Sequence, residues 1–185
     1  MNAHAWLLLT VYLVLLLLAA RPLGIYIATV MAGPSTIALR VDARCEALLY
    51  RLCGFRRDKE MDWRHYALAI LLFNLLGALA LYALQRVQVA LPLNPQDMAE
   101  VSADSAFNSA VSFATNTNWQ GYAGESTMSY LTQMLGLGIQ NFLSAATGIV
   151  VVIALIRGFA RRTTTTIGNA WVDLTRITQI GRAHV

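Results

Sequence analysis

The segment from Ser112 to Glu125 holds the residues whose types could do chemistry. It reads S-F-A-T-N-T-N-W-Q-G-Y-A-G-E and contains no lysine or arginine. Backbone carbonyls and Thr/Asn oxygens without a fixed charge, as at residues 115–118, suit a dehydrated monovalent cation. A segment of this composition between two helices is also typical of a surface turn. Composition alone leaves both interpretations open.

The flanking segments favour a re-entrant pore loop. A short apolar helix is predicted at roughly Ser105 to Ala114, and a long apolar helix at Thr127 to Ile156. Non-helical backbone lies at membrane depth only where it is buried in protein or lines a water-filled path. The helix C-terminus before the loop carries partial negative charge, which favours a cation. The predicted packing face of the short helix comprises Phe107, Ala110, Val111 and Ala114.

The composition predicts an all-α membrane protein, a transmembrane helix bundle. The chain has 185 residues, of which 57% are hydrophobic and 13% charged. Soluble domains carry about twice that charged fraction. Cys45 and Cys53 lack the spacing of a metal or redox motif, so a free, reduced pair is expected.

Three apolar stretches are candidate membrane spans. The first lies within residues 1–32 and is predicted to be interrupted at Arg21 and Pro22. A secretory signal peptide is the alternative, but the chain start lacks the basic residues that such a peptide needs. The second is Tyr66 to Leu84, which Asp62 is expected to cap. Its interior Asn74 is expected to bond across helices, or alternatively to ligate an ion.

Charge placement predicts the orientation. Lysine and arginine are concentrated between Arg40 and Arg64, in a predicted loop with an amphipathic surface helix, whereas residues 97–104 are acidic. Because basic loops stay in the cytoplasm, the N-terminus and the pore loop are expected outside. Arg157, Arg161 and Arg162 end the third span on the inside. Small residues expected to allow close packing in that span are Gly136, Gly138, Ser144, Ala145 and Gly148.

Several motifs in order resemble the A subunit of the Kdp potassium-transporting ATPase, the KdpA family. The resemblance covers about residues 1–179. The motifs are R-P-L-G at 21–24, K-E-M-D-W at 59–63, L-P-L-N-P-Q at 91–96, T-N-T-N-W-Q at 115–120, Q-N-F-L-S-A-A-T-G-I at 140–149 and G-N-A-W-V-D-L at 168–174.

The resemblance implies a potassium-binding and translocating subunit of an ATP-driven uptake pump in the bacterial inner membrane. The backbone oxygens of Thr115, Asn116, Thr117 and Asn118 would bind K⁺, the only metal expected. Many relatives place glycine in the equivalent filter loops, so the asparagines leave the coordinating atoms open. The residues expected to support the filter are Ser112, Trp119, Gln120 and Gly121.

The implied partners are the catalytic subunit KdpB, the accessory subunits KdpC and KdpF, and membrane lipid, with no nucleic acid. The chain contains neither a P-loop nor a D-K-T-G motif, so no nucleotide is expected on it and ATP hydrolysis is assigned to a partner.

The resemblance also implies that one helix–loop–helix repeat of four is present, hence an N-terminal fragment. The final I-G-R-A-H-V resembles a translated sequencing adapter.

Two alternatives for the function stay open: a subunit of an oligomeric potassium channel or symporter, and a structural membrane subunit. The predicted organisation is a first transmembrane helix at 1–32, a cytoplasmic loop at 33–65, a helix–pore loop–helix repeat at 66–156, the approach to another helix at 157–179 and a non-native tail at 180–185.

Overall fold

The fold is given by a computed structural model, which describes residues 3–32, 47–48, 50–51, 56, 58–161 and 164–182. It is 76% helical. Among the described residues, three helical segments are long and apolar enough to cross a membrane: His4–Met31, Trp63–Ala90 and Thr132–Ala160. The predicted all-α membrane fold class is confirmed. The chain divides into two compact units, residues 1–55 and 56–183.

The first unit contains helix α1, Ala3–Ala32, with Pro22 inside it. The predicted interruption at Arg21 and Pro22 is therefore wrong, because the helix continues through both residues. A proline removes one backbone donor, and transmembrane helices tolerate that loss. The predicted amphipathic helix of the 33–65 loop falls mostly outside the described residues, as do Cys45 and Cys53.

The second unit carries the candidate site. Its elements in chain order are β1 (Met61–Asp62), α2 (Trp63–Val87), a 3₁₀ turn (Gln88–Ala90), α3 (Ala103–Ala114), α4 (Gly124–Thr127), a π-helical segment (Thr132–Gly138), α5 (Ile139–Ala160), β2 (Thr166–Gly168) and α6 (Ala170–Arg182).

Polar caps begin the two helices that precede the loop. The Asp62 side chain accepts a hydrogen bond from the His65 backbone N–H at 2.8 Å, so its predicted capping role is confirmed. That hydrogen bond holds the pKa of Asp62 below its usual value. Ser102 caps α3, so this helix begins slightly before the predicted Ser105 and ends, as predicted, at Ala114.

The packing face of α3 matches the prediction at Ala110 and differs from it at Phe107 and Val111. Phe107 and Val111 are 61% and 40% exposed. The buried side chains are Ala106, Ser109, Ala110, Ser112 and Phe113. Apart from Phe113 this face consists of small residues, which let membrane helices approach closely, and lipid tails are apolar enough to surround Phe107 and Val111 at little cost.

Two glycines allow close helix contact. A Cβ on Gly136 would lie 2.8 Å from both Leu81 Cδ1 and Leu84 Cδ2 of α2. A Cβ on Gly77 would lie 2.5 Å from Gln140 Oε1. Close packing at Gly136 is thus confirmed, whereas Gly148 has no neighbouring atom within 4 Å of an added Cβ and does not serve this purpose among the described residues.

Asn74 bonds within its own helix rather than across helices. Its Nδ2 donates to the Ile70 carbonyl at 2.9 Å. The prediction of an interhelical bond is wrong for the described residues, because a carbonyl four residues earlier on the same helix is within reach of the side chain.

A short antiparallel ladder between β1 and β2 holds one end of the second unit, the end opposite the pore-loop segment. We call this end the ladder end. Met61 pairs with Gly168 and Asp62 with Thr166. The Glu60 carboxylate accepts hydrogen bonds from Thr166 Oγ1 and from Arg161 Nη1, which hold its pKa below the usual value. Two of the sequence motifs, at 59–63 and 168–174, therefore meet here.

A buried ionic cluster lies next to this ladder. The Asp173 carboxylate, whose side chain is 2% exposed, accepts from Arg157 Nη1 at 2.5 Å and Nη2 at 3.0 Å. Tyr66 Oη donates to the same carboxylate at 2.9 Å. The cluster joins α2, α5 and α6.

Substituting Asp173→Ala should destabilise the protein by about 3–5 kcal/mol, because it leaves a largely buried guanidinium unpaired. The thermal midpoint in detergent micelles measures this. Glu60→Ala is the matched control, since the Glu60–Arg161 pair is more exposed and should contribute about 1 kcal/mol or less. Equal losses in the two variants would contradict the assignment.

Substituting Gly136→Leu should cost about 1–3 kcal/mol through overpacking against Leu81 and Leu84. The same change at Gly148, where the added side chain meets open space, should be close to neutral. The comparison uses the same thermal measurement, and a neutral Gly136→Leu would show that the contact with α2 is not tight.

Candidate functional site

The pore-loop segment, residues 115–118, lies beside the middle of a membrane-spanning helix. Asn118 Nδ2 donates to Asn141 Oδ1 at 2.7 Å, and Ser144 Oγ donates to Asn116 Oδ1 at 3.4 Å. Asn141 and Ser144 lie in the first half of the Thr132–Ala160 span. Non-helical backbone at this depth must be buried in protein or line a water-filled path. This is the placement that the pore-loop interpretation requires.

The backbone N–H groups of residues 115–118 all donate to carbonyls in the last turn of α3. Ser112 O accepts two of these bonds, from Thr117 N at 2.9 Å and from Asn118 N at 3.2 Å. The donors of the segment are therefore satisfied by the free carbonyls at the C-terminal end of α3, as backbone in a membrane requires.

The four carbonyl oxygens of residues 115–118 accept no hydrogen bond from any other residue that the structure describes. All four residues are exposed. With the N–H groups already bonded and the negative end of the α3 dipole adjacent, the free groups of this backbone are oxygens. Such a set can take the place of the water around a cation.

Two asparagines adopt the backbone conformation that glycine usually supplies. Asn116 and Asn118 have φ values of 57° and 54°, in the left-handed region. Asparagine visits this region more readily than other residues with a side chain, because its short amide bonds locally. This explains how the loop keeps its shape without a glycine.

The side chains of the segment are engaged with protein. Thr115 Oγ1 donates to Val111 O at 2.9 Å and lies 3.0 Å from Thr117 Oγ1. Together with the contacts of Asn116 and Asn118 to α5, these bonds brace the loop and leave the backbone oxygens as its free ligands.

The four residues predicted to support the filter have different surroundings. Ser112 is buried and supports the loop through its carbonyl. Trp119 is 61% exposed, and its Cη2 would lie 3.2 Å from a Cβ on Gly121. Gln120 is exposed, and its side chain makes no hydrogen bond with another described residue. A direct bracing contact is thus visible for Ser112 alone among the four.

Two α5 residues at the site were missed as loop contacts. From the sequence, Asn141 is noted only as part of the 140–149 motif, and Ser144 also as a small residue of the third span. Their spacing of three places them on one helix face, and that was the available signal. Among the described residues, no cluster of three or more His, Cys, Asp or Glu side chains could hold a metal ion.

Comparison with known proteins identifies the family. The family model described as "KdpA: Potassium-transporting ATPase A subunit" matches residues 10–180. The chain belongs to the KdpA family.

Curated relatives of the KdpA family are highly similar over nearly the whole chain. The protein named potassium-transporting ATPase potassium-binding subunit from Dechloromonas aromatica is 68% identical, covering 96% of this chain and 29% of the relative. Proteins of the same name from Methylibium petroleiphilum and Chromobacterium violaceum are 61% and 60% identical, each over 96% of this chain. The chain spans about 30% of the length of these KdpA relatives.

Substituting Asn116→Val should destabilise the loop by about 1–3 kcal/mol, because a β-branched residue is strained at positive φ. Asn116→Gly also removes the contact to Ser144 but accepts this backbone conformation, so it should be close to neutral. Thermal midpoints and limited proteolysis at residues 115–121 would compare the two. Equal damage in both would locate the effect in the side-chain contact instead.

Proposed function

We propose that this chain supplies one potassium-binding segment of an ATP-driven potassium uptake system, with the carbonyl oxygens of Thr115, Asn116, Thr117 and Asn118 as ligands. The observation that carries the proposal is the row of four unpaired carbonyls beside the middle of a span. The relatives' name, potassium-binding subunit, supports the choice of ion.

The local charge supports a cation of single charge. Residues 112–124 carry no ionisable acid or base other than Tyr122, so nothing in the segment repels K⁺ or holds a divalent ion strongly. Carbonyl dipoles bind an ion well enough to replace its water and weakly enough to release it. Acidic residues at 97, 100 and 104 raise the local concentration of cations modestly.

In this proposal a separate chain hydrolyses ATP and so supplies the energy for transport. No P-loop or D-K-T-G motif is present here, and the relatives are named as one subunit of an ATPase. We assign ATP hydrolysis to a KdpB-type catalytic partner, with KdpC- and KdpF-type accessory subunits. This chain is then a non-catalytic, ion-translocating subunit.

The proposed location is the bacterial inner membrane, with the N-terminus and the pore loop outside. At the ladder end, Arg157 and Arg161 terminate the third span, and Lys59 and Arg64 flank the start of the second. The opposite end carries Asp97, Glu100, Asp104 and Glu125, with Arg86 as its basic residue. Basic residues stay on the cytoplasmic side.

Substituting Gln120→Arg in the full-length subunit should raise the K⁺ concentration for half-maximal uptake by about tenfold or more, because a fixed positive charge next to the carbonyls repels the ion. Uptake by cells lacking other potassium transporters measures this. Gln96→Arg is the control, since it adds the same charge in the 91–96 segment rather than in the loop.

Three outcomes separate the candidate functions. Weakened, ATP-dependent uptake in Gln120→Arg with intact assembly supports the pump subunit. Weakened uptake that persists without ATP in proteoliposomes supports a channel or symporter. Unchanged uptake in Gln120→Arg supports a structural subunit and overturns the pore-loop assignment.

A further inference from the structure

Gln88, the first residue of the 3₁₀ turn that follows α2, is one of the most completely bonded side chains of the second unit. It is 0% exposed. Its Nε2 donates to Ala99 O at 2.5 Å and to Thr127 O at 2.9 Å. Its Oε1 accepts from Ser129 N and Thr132 Oγ1, both at 3.1 Å. An amide has two N–H donors and an oxygen with two lone pairs, so its capacity is full.

The four partners of Gln88 lie on both sides of the pore-loop segment in the chain. Ala99 comes just before α3, whereas Thr127, Ser129 and Thr132 come after the loop. The side chain of Gln88, next to the C-terminal end of α2, thus ties together the segment before α3 and the segment that follows the loop. Moving the segment before α3 away from Gln88 breaks one of these hydrogen bonds, and moving the segment after the loop away breaks three.

Gln85, one turn earlier, reinforces the first of these two ties. It is also 0% exposed, and its Nε2 donates to Ala106 O of α3 at 3.2 Å. Its backbone carbonyl accepts from Val101 N at 3.3 Å. Gln85 bonds only to the segment leading into the loop, so of these two glutamines Gln88 is the one that joins both ends; one backbone bond, from Tyr130 N to Leu93 O, also links the two sides.

From this arrangement we infer that Gln88 is a positioning residue for ion discrimination, which sets where the four carbonyls stand relative to α2. The inference rests on the proposed potassium-binding function. Binding sites require their ligands to be held to within about 0.5 Å by a supporting shell. Among the described residues, the hydrogen bonds of the segment to α5 are those of Asn116 and Asn118, and further positional restraint comes through α3 and residues 127–132.

The test replaces Gln88 in the full-length subunit within its assembled complex and compares ions of similar size. Gln88→Leu removes all four hydrogen bonds, and Gln88→Asn, shorter by one methylene, loses reach to one end. The readout is the ratio of half-maximal concentrations for Rb⁺ and K⁺ uptake, normalised to assembled complex. We expect this ratio to move towards one by about tenfold or more in Gln88→Leu, and by less in Gln88→Asn.

Gln133→Leu is the matched control. The Gln133 amide donates to Gly124 O at 3.2 Å and Met128 O at 2.9 Å, both after the loop, so it does not join the two ends. Any effect of Gln133→Leu should be limited to assembly, and the ratio of half-maximal concentrations for Rb⁺ and K⁺ uptake should be unchanged.

Each outcome of this test either supports or overturns the positioning role of Gln88. A changed ion ratio in the Gln88 variants, with the control unchanged, supports the inference. An unchanged ratio in assembled Gln88 variants overturns it, and so does failure of both variants to assemble, because Gln88 would then serve folding in general. Failure of the proposed function is separate: the unsubstituted protein would show no saturable K⁺ uptake at all.

Discussion

The constraint on which this structure depends is that polar backbone at membrane depth must find partners inside the protein. An unsatisfied group in lipid costs several kcal/mol. Residues 115–118 meet the requirement for their N–H groups by turning back onto the last turn of α3, where Ser112 O takes two of them. Left-handed backbone at Asn116 and Asn118 makes this return possible. The same fold that satisfies the donors leaves the acceptors free, so the candidate ion ligands arise from the way the loop ends its helix.

The two ends of the second unit are held by different chemistry. At the ladder end, Asp173 is paired with Arg157 and Tyr66, a charged cluster that fixes three helices in register. At the loop end, the fully buried bonds come from the neutral amides of Gln85 and Gln88, and the Arg86–Glu100 ion pair there is more exposed. Neutral amides place no fixed charge inside the protein next to the loop.

The sequence predicted the three long apolar helices, α3, the Asp62 cap and the all-α membrane class, because these depend on local hydropathy and on residues three or four apart. It did not predict most of the buried face of α3. That face contains Phe113 and the small residues Ala106, Ser109, Ala110 and Ser112, whereas Phe107 is exposed, because small residues let membrane helices approach closely. Gln88 was missed because its partners lie about 10 to 45 residues away in the chain, and no local pattern encodes bonds of that range. The loop carbonyls were predicted as ligands from composition and resemblance. The φ values of Asn116 and Asn118, which set the direction of these carbonyls, are known only from the structure.

A single row of carbonyls surrounds an ion on one side only, and the exposed oxygens of residues 115–118 would face lipid if nothing covered them. The cost of such exposure implies that further protein, with water or ions between, completes the site. Further segments of a longer polypeptide and further copies of this chain would both meet that need. The KdpA relatives are about three times as long as the matched region, which favours segments of one polypeptide. Under the proposed function the loop is one wall of such a site, and its attachment through Gln88 matters because the other walls must meet it at a fixed distance.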